Sequence, residues 1–297
     1  MAIIVTGASG LLGRALVGAL TEEGERVVRL VRRPPTSSDE ALWQPDKGLV
    51  DQAALDGAQA VVHLAGAGLG ERRWSEAYRR EIVDSRVAGT RTLVTALKKL
   101  ERPPHVLLSA SGAGFYGDTG DRATDESGPR GEGFLAELCE QWEAEAAQAE
   151  SAGIRTVRLR TAITLSSRGG ALKQMLPIFK LGLGAPLGSG GQWWAWISLD
   201  DWVRAVLHIL RNRDIAGPVN VAAPEPVTNK EFTKALGRAL KKPTMPIAVP
   251  GFALRTGLGG FADEGLLIGQ RAVPAKLLDS GFRFLHPTLD EALAAVL

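Results

Sequence analysis

The chain has 297 residues, 45% of them hydrophobic and 23% charged, which supports a large packed core and excludes a disordered chain. Its 35 basic and 33 acidic residues nearly cancel, which argues against nucleic acid as the main partner. Cys139 stands alone, so no internal disulfide forms and a reducing, cytoplasmic compartment fits; no apolar run reaches the ~18 residues that span a bilayer, so no membrane partner is expected.

Ile3, Ile4 and Val5 form a β-branched run that suits a buried parallel strand. No basic stretch precedes it, so it does not read as a signal peptide. Thr6-Gly7-Ala8-Ser9-Gly10-Leu11-Leu12-Gly13 follows at once. Leu12, Ala15, Leu16, Ala19 and Leu20 then repeat at helical spacing. Val27 to Val31 makes a second strand. Residues 60–64 read as a strand, 75–100 as a long helix, and 105–109 as a strand. Residues 134–152 read as a helix and 154–159 as a strand. This alternation predicts an α/β fold, a doubly wound parallel (Rossmann) sheet.

After residue 160 the rhythm breaks. Glycine clusters surround one apolar helix in 166–192. Residues 196–198 read as a strand leading into a helix over 199–211, and Val219-Asn220-Val221 as a possible return to the main sheet. Thr228 with Glu231, and Thr288 with Glu291, have capping-box spacing. The expected organisation is a nucleotide-binding domain over 1–165, joined by 195–223. A second, smaller C-terminal substrate domain is expected over 166–194 and 224–297.

Gly7, Gly10 and Gly13 lie between a strand and a helix. In that context one glycine makes the turn, one lets backbone approach a pyrophosphate, and one lets helix pack on strand. The helix N-terminus adds free N–H groups for the phosphates. The alternative is a plain tight turn. NAD sites end the second strand with an Asp or Glu for the ribose hydroxyls. Here Arg32 and Arg33 stand there instead. A guanidinium suits a 2′-phosphate, so the expected cofactor is NADP(H). Two solvated arginines are the alternative.

Together these residues resemble the short-chain dehydrogenase/reductase superfamily, in its extended branch of nucleotide-sugar epimerases and reductases. The segment Thr6 to Gly13 is similar to that branch's T-G-x-x-G-x-x-G, His63-Leu64-Ala65-Gly66 to its motif beside the adenine and ribose, and Phe115-Tyr116-Gly117 to its V-Y-G segment. An atypical NADP-dependent, epimerase-like subgroup without an assigned substrate is the nearer likeness. Arg72-Arg73-Trp74, Ser85-Arg86, Gly133-Phe134-Leu135, Trp142-Glu143, Gly188-Ser189-Gly190 and Gly269-Gln270-Arg271 carry it, and the resemblance spans nearly the whole chain. It implies the fold and NADP(H). It also implies that Ser9, Leu11, Leu12, Leu64, Ala65, Gly66, Glu81, Arg86 and Ser109 line the cofactor with the three glycines.

Superfamily enzymes use Tyr-x-x-x-Lys and a nearby serine. The chain has two tyrosines; four residues after Tyr78 is Ile82, and four after Tyr116 is Gly120. At the helix where the family places the pair stand Phe134 and Leu138. A phenyl ring has no proton to give. Ser111 and Tyr116 are the remaining catalytic candidates, with Tyr116 either a proton donor or a packing residue. Cys139 and His63 read as core residues. The histidines lack zinc spacing with the lone cysteine, so no metal is expected.

On the substrate side, Gln192, Trp193 and Arg271 offer an amide, an indole face and a bidentate anion partner. The expected partner is a small-molecule carbonyl or alcohol substrate, with nucleotide sugars among the candidates, and an oligomer stays open. The expected activity is an NADP-dependent oxidoreductase or epimerase. The rival, favoured by Phe134 and Leu138, is a non-catalytic NADP(H) sensor.

Overall fold

A computed structural model describes all 297 residues. Its centre is an eight-stranded sheet built by the apolar runs. In chain order the first elements are β1 (Ala2–Thr6), α1 (Leu11–Glu22), β2 (Arg26–Val31), β3 (Glu40–Gln44), β4 (Leu49–Val50), α2 (Gln52–Leu55), β5 (Ala60–His63) and α3 (Glu76–Leu97). Then come β6 (Val106–Gly112), α4 (Phe134–Ala147) and β7 (Arg155–Thr161).

The remaining elements are more irregular. They are β8 (Ile163–Leu165), α5 (Gly170–Lys180), β9 (Trp193–Trp194), β10 (Trp196–Ser198), α6 (Leu199–Arg211), β11 (Gly217–Val221) and β12 (Val227–Thr228). Helices α7 (Asn229–Ala239), α8 (Gly251–Leu258), α9 (Phe261–Gly265), α10 (Ala275–Asp279) and α11 (Leu289–Val296) complete the chain.

The strand order is β11-β7-β6-β5-β1-β2-β3-β4, parallel throughout except for the antiparallel edge pair β3–β4. The chain runs outward from β1 through β2 and β3, then restarts on the other side of β1 at β5. The crevice between the carboxyl ends of β1 and β5 is therefore the topological switch point, where such sheets bind ligands. Val219 and its neighbours do return to the main sheet, beside β7. The Trp196–Ser198 strand does not; it pairs with β8 in a separate two-stranded sheet.

Apolar side chains pack on both faces of the sheet. One core joins Ile3, Val5, Leu108 and Val157 to Leu16 of α1 and to Trp202 and Val206 of α6. The other joins Ile4, Val61 and Leu107 to Leu93 and Leu97 of α3. A third core, separate from these, gathers Leu172, Phe179, Trp196, Phe232 and Leu293. Leu277 and Phe282, far along the chain, pack into the α1–α6 core. The edge strands β3 and β4 are only five and two residues long, too short to carry a clear apolar pattern. The helix expected over 134–152 is an α-helix only to Ala147 and tightens to a 3₁₀ turn over Gln148–Ala152.

Candidate active site

The glycine loop joins β1 to α1 at the switch point. Gly7 has φ +66°, and a Cβ there would sit 2.7 Å from the Leu64 carbonyl. A Cβ on Gly13 would run into the Gly7 carbonyl oxygen. Those two glycines are required by close backbone approach. Gly10 differs: it is exposed, and its nearest neighbour to a Cβ is the Gly7 oxygen at 3.3 Å. Its open side is where a ligand would approach. Helix α1 begins with no side-chain cap, so the N–H groups of Leu11, Leu12 and Gly13 start it unclaimed by any side chain. Ser9 is exposed at the same edge.

Strand β5 forms the facing wall. Thr6 Oγ1 accepts from the N–H groups of Leu64 (3.0 Å) and Ala65 (3.1 Å) and lies 2.7 Å from His63 Nδ1. The other ring nitrogen lies 3.0 Å from Thr90 Oγ1. His63 is thus a fully buried brace between β1, β5 and α3, and burial pulls its pKa down to about 4. The brace fixes the Leu64–Gly66 backbone beside the glycine loop.

The two arginines after β2 separate. Arg33 is gripped by Glu40, with Nη1–Oε2 at 2.8 Å and Nη2–Oε1 at 2.6 Å. Hydrogen bonds from Arg33 and the Thr36 N–H hold the Glu40 carboxyl at about 2. Arg32 is exposed and has no hydrogen-bond or ion-pair partner among its neighbours. The two arginines expected at the 2′-phosphate thus differ in their surroundings. Arg33 fastens the β2–β3 turn, and Arg32 remains open to an anion.

Arg86 lies deep beside Gly66, only 8% exposed. It donates to the carbonyl oxygens of Ala67 (2.9 Å) and Ile82 (3.3 Å) and lies 5.2 Å from the Trp142 ring centre. No carboxylate meets it, and burial pulls its pKa down. A buried cation without a counter-ion suits an anionic ligand. Glu81 sits half-exposed, 3.4 Å from Arg72, at the solvent side of α3.

The far wall is the end of β6 facing α4. Ser109 is 1% exposed, and its hydroxyl makes only a long contact, 3.4 Å, to the Ala110 carbonyl. Ser111 donates to Glu143 at 2.7 Å. Glu143 is also gripped by Arg160, Nε–Oε1 2.8 Å and Nη2–Oε2 2.9 Å. Arg160 stacks 3.5 Å above the Phe115 ring centre and donates to the Tyr116 hydroxyl at 2.9 Å. That hydroxyl donates to Asn220 Oδ1 at 2.7 Å. Tyr116 is 2% exposed, and burial raises its pKa. A proton donor at the nicotinamide was one expectation for Tyr116. The structure gives its hydroxyl two protein partners in a core instead, because the β6–α4 loop turns the ring inward toward β11.

Phe134 and Leu138 belong to an apolar cluster with Trp74, Tyr78, Ile82 and Phe261. Glu264 of α9 caps α4, accepting from the N–H groups of Phe134 (3.1 Å) and Leu135 (3.2 Å). No sequence signal pointed to this cap, since the partners lie 130 residues apart.

A sequence-family model described as the NAD dependent epimerase/dehydratase family matches residues 3–222. The chain belongs to this family. A second model, for a domain of unknown function, matches residues 249–296. An epimerase family protein of Mycobacterium tuberculosis is 46% identical, covering 98% of this chain and 96% of that one. The human epimerase family protein SDR39U1, crystallised with NADPH, superposes with TM-score 0.91 at 32% identity, covering 100% of this chain and 99% of that one. A nucleoside-diphosphate sugar epimerase from Corynebacterium glutamicum gives 0.81 at 32% identity, covering 100% of this chain and 58% of that one.

In this epimerase/dehydratase chain the substrate-side candidates meet only in part. Trp193 Nε1 donates to Asp121 at 2.8 Å, and the Arg271 guanidinium lies 4.1 Å from the Trp193 ring centre. Arg271 also donates to the Asp121 carbonyl. Gln192, the expected substrate amide, donates from Nε2 to the carbonyls of Leu187 (3.0 Å) and Leu266 (2.8 Å). Its amide therefore ties two loops together. The segment 269–273 is laced to both walls, with Thr119 and Thr124 donating to Gly269 and Arg271, and Ala195 to Gln270. Pattern reading missed Glu143, Arg160, Asn220 and Glu264 as parts of this region.

Proposed function

We propose that the chain is an NADP(H)-dependent oxidoreductase of the extended short-chain type, acting on a carbonyl or alcohol. The observation that carries the reading is the cradle at the switch point. Gly7 and Gly13 are forced by backbone contact, Gly10 is open, α1 is uncapped, and Arg32 waits unpaired at the end of β2. These residues fit a dinucleotide with a 2′-phosphate. The glycine loop and α1 would take the pyrophosphate, Leu64 to Gly66 the ribose side, and Arg32 the 2′-phosphate. The NADPH in human SDR39U1 supports the same cofactor here.

When bound, NADP(H) supplies or takes up a hydride. The chain's own residues set what surrounds that event. Ser111 directs its O–H at Glu143, so the lone pairs of its oxygen are left to accept a hydrogen bond from a substrate hydroxyl. Glu143, held by Arg160, keeps that orientation. Phe134, Trp74 and Phe261 exclude water from the α4 side. Trp193 and Arg271 supply a ring face and a cation for a larger substrate such as a nucleotide sugar. We assign cofactor binding to residues 1–165 with 195–223, and substrate binding to 166–194 with 224–297.

A second reading has its own observation. Phe134 and Leu138 put apolar groups where the superfamily keeps its proton donor and lysine. That favours a non-catalytic NADP(H) sensor. Nicotinamide absorbance decides between them. Protein loaded with NADP⁺ or NADPH is mixed with panels of nucleotide sugars and small carbonyl compounds. A change in cofactor redox state that Ser111→Ala abolishes supports the oxidoreductase. Tight NADPH binding with no redox change across the panels favours the sensor.

A further inference from the structure

The surface over the third core combines exposed apolar side chains with unpaired cations. Segments 168–199 and 232–262 together hold eight Lys and Arg and no Asp or Glu, although the whole chain has a net charge of only +2. The two segments are stitched side by side: Met245 N–H donates to the Gly184 carbonyl, Val249 N–H to Pro186, and Gly188 N–H to Val249. Their loops and the helices α5 and α8 expose large apolar side chains to solvent. Leu181 is 74% exposed, Ile247 75%, Phe252 71%, Leu183 55%, Ile178 54% and Met245 41%. Scattered single exposures need no explanation, but this cluster on one stitched face does.

Beside these side chains lies a hollow of ≈ 390 Å³ with no hydrophobic lining residue, formed by Lys234, Arg238, Lys241, Lys242 and Thr244 among others. Pro243 connects the two features, lying against Gly182 next to Leu181. Arg238 is paired with Asp290, whereas Lys180, Lys234, Lys241 and Lys242 have no ion-pair partner. Lys180 directly precedes the exposed Leu181, and Lys241 and Lys242 lie within six residues of the exposed Met245 and Ile247. Exposed apolar side chains next to unpaired lysines complement the acyl boundary and the phosphates of an anionic lipid surface.

We propose that this face docks the protein on the surface of an anionic lipid bilayer. Leu181, Ile247 and Phe252 enter the headgroup–acyl boundary, and Lys241 and Lys242 bind lipid phosphates. No helix is long and apolar enough to cross a membrane, so the association is peripheral. This departs from the expectation of no membrane partner, which rested on spanning segments alone.

The test is flotation of the full-length purified protein with vesicles of phosphatidylcholine, with or without phosphatidylglycerol. Native protein should float with the anionic vesicles only, and high salt should release it. Each lysine removed should weaken partition about fivefold, since one basic residue near such a surface is worth ~1 kcal/mol. Lys241→Glu with Lys242→Glu, and separately Ile247→Asp, should both abolish flotation while NADPH affinity stays native. Failure of the native protein to float overturns the proposal, as does equal flotation by the variants. Self-association that Ile247→Asp abolishes, without any flotation, would assign the face to a second copy of the chain instead.

Discussion

Ser111 donates its hydroxyl to Glu143 at 2.7 Å, and the same carboxylate holds Arg160 through both of its oxygens. The Arg160 and Glu143 side chains are 5% and 10% exposed. Glu143→Ala would leave a guanidinium buried without its counter-ion. The expected loss is about 3–5 kcal/mol of folding stability. Ser111→Ala removes only the hydroxyl and should cost about 1 kcal/mol. Urea denaturation of the three proteins checks both numbers.

Tyr116 yields the opposite pattern to a catalytic tyrosine. Tyr116→Phe strips the hydroxyl from between Asn220 and Arg160. Stability should fall by about 1–3 kcal/mol, because both partners lose a buried hydrogen bond. Any cofactor turnover should persist in the folded fraction. Complete loss of turnover at unchanged stability would restore Tyr116 to the chemistry.

Arg32 and Arg33 should separate cleanly under mutation. Arg32→Ala should weaken NADPH binding by roughly 10- to 100-fold, the value of a charge-assisted contact, and leave NADH binding almost unchanged. Arg33→Ala should instead loosen the β2–β3 turn by freeing Glu40, with a smaller and less selective effect on the cofactor. Fluorescence titration with both reduced nucleotides checks the pair. Equal losses of NADPH and NADH affinity in Arg32→Ala would remove it from the 2′-phosphate.

His63 predicts a pH dependence. Its folded pKa of about 4 lies below the ordinary 6.5, so the unfolded chain binds the proton more readily. Stability is therefore full above pH 6.5 and falls as pH drops toward 4, by up to about 3 kcal/mol. Urea midpoints between pH 7 and pH 4.5 should show this slope in the native protein. His63→Asn should flatten it; a slope that survives the substitution would assign it to other groups.

The glycine loop, the parallel strands and the capping boxes at Thr228 and Thr288 were legible because each is a local pattern. β-branched runs mark buried strands, and a hydroxyl three residues before a glutamate marks a helix start. The Arg160–Glu143 pair was not legible. Arg160 interrupts an apolar strand and looks like its solvent end, yet it turns inward to a carboxylate on α4. Arg32 and Arg33 are neighbours of identical chemistry, and only the fold of β3 decides which one Glu40 takes. Glu264 capping α4, and Asp201 holding the N–H groups of Leu285 and His286, are long-range choices of the same kind. Periodicity carries no signal for contacts made across a hundred residues.

The lacing of residues 269–273 onto the loops at 117–124 and 193–195 also dictates an order of events during synthesis. The glycine loop, β1, β5 and β6 leave the ribosome long before their last partner does. Until residue 273 emerges, the backbone donors of Thr119, Thr124 and Ala195 lack their partners, and Trp193 lacks the guanidinium beside it. A nascent chain can thus fold its glycine loop while the wall proposed for the substrate is still unwritten. Early cofactor capture would stabilise that half-built state, so a pulse of NADPH during translation should shorten its exposure to proteases.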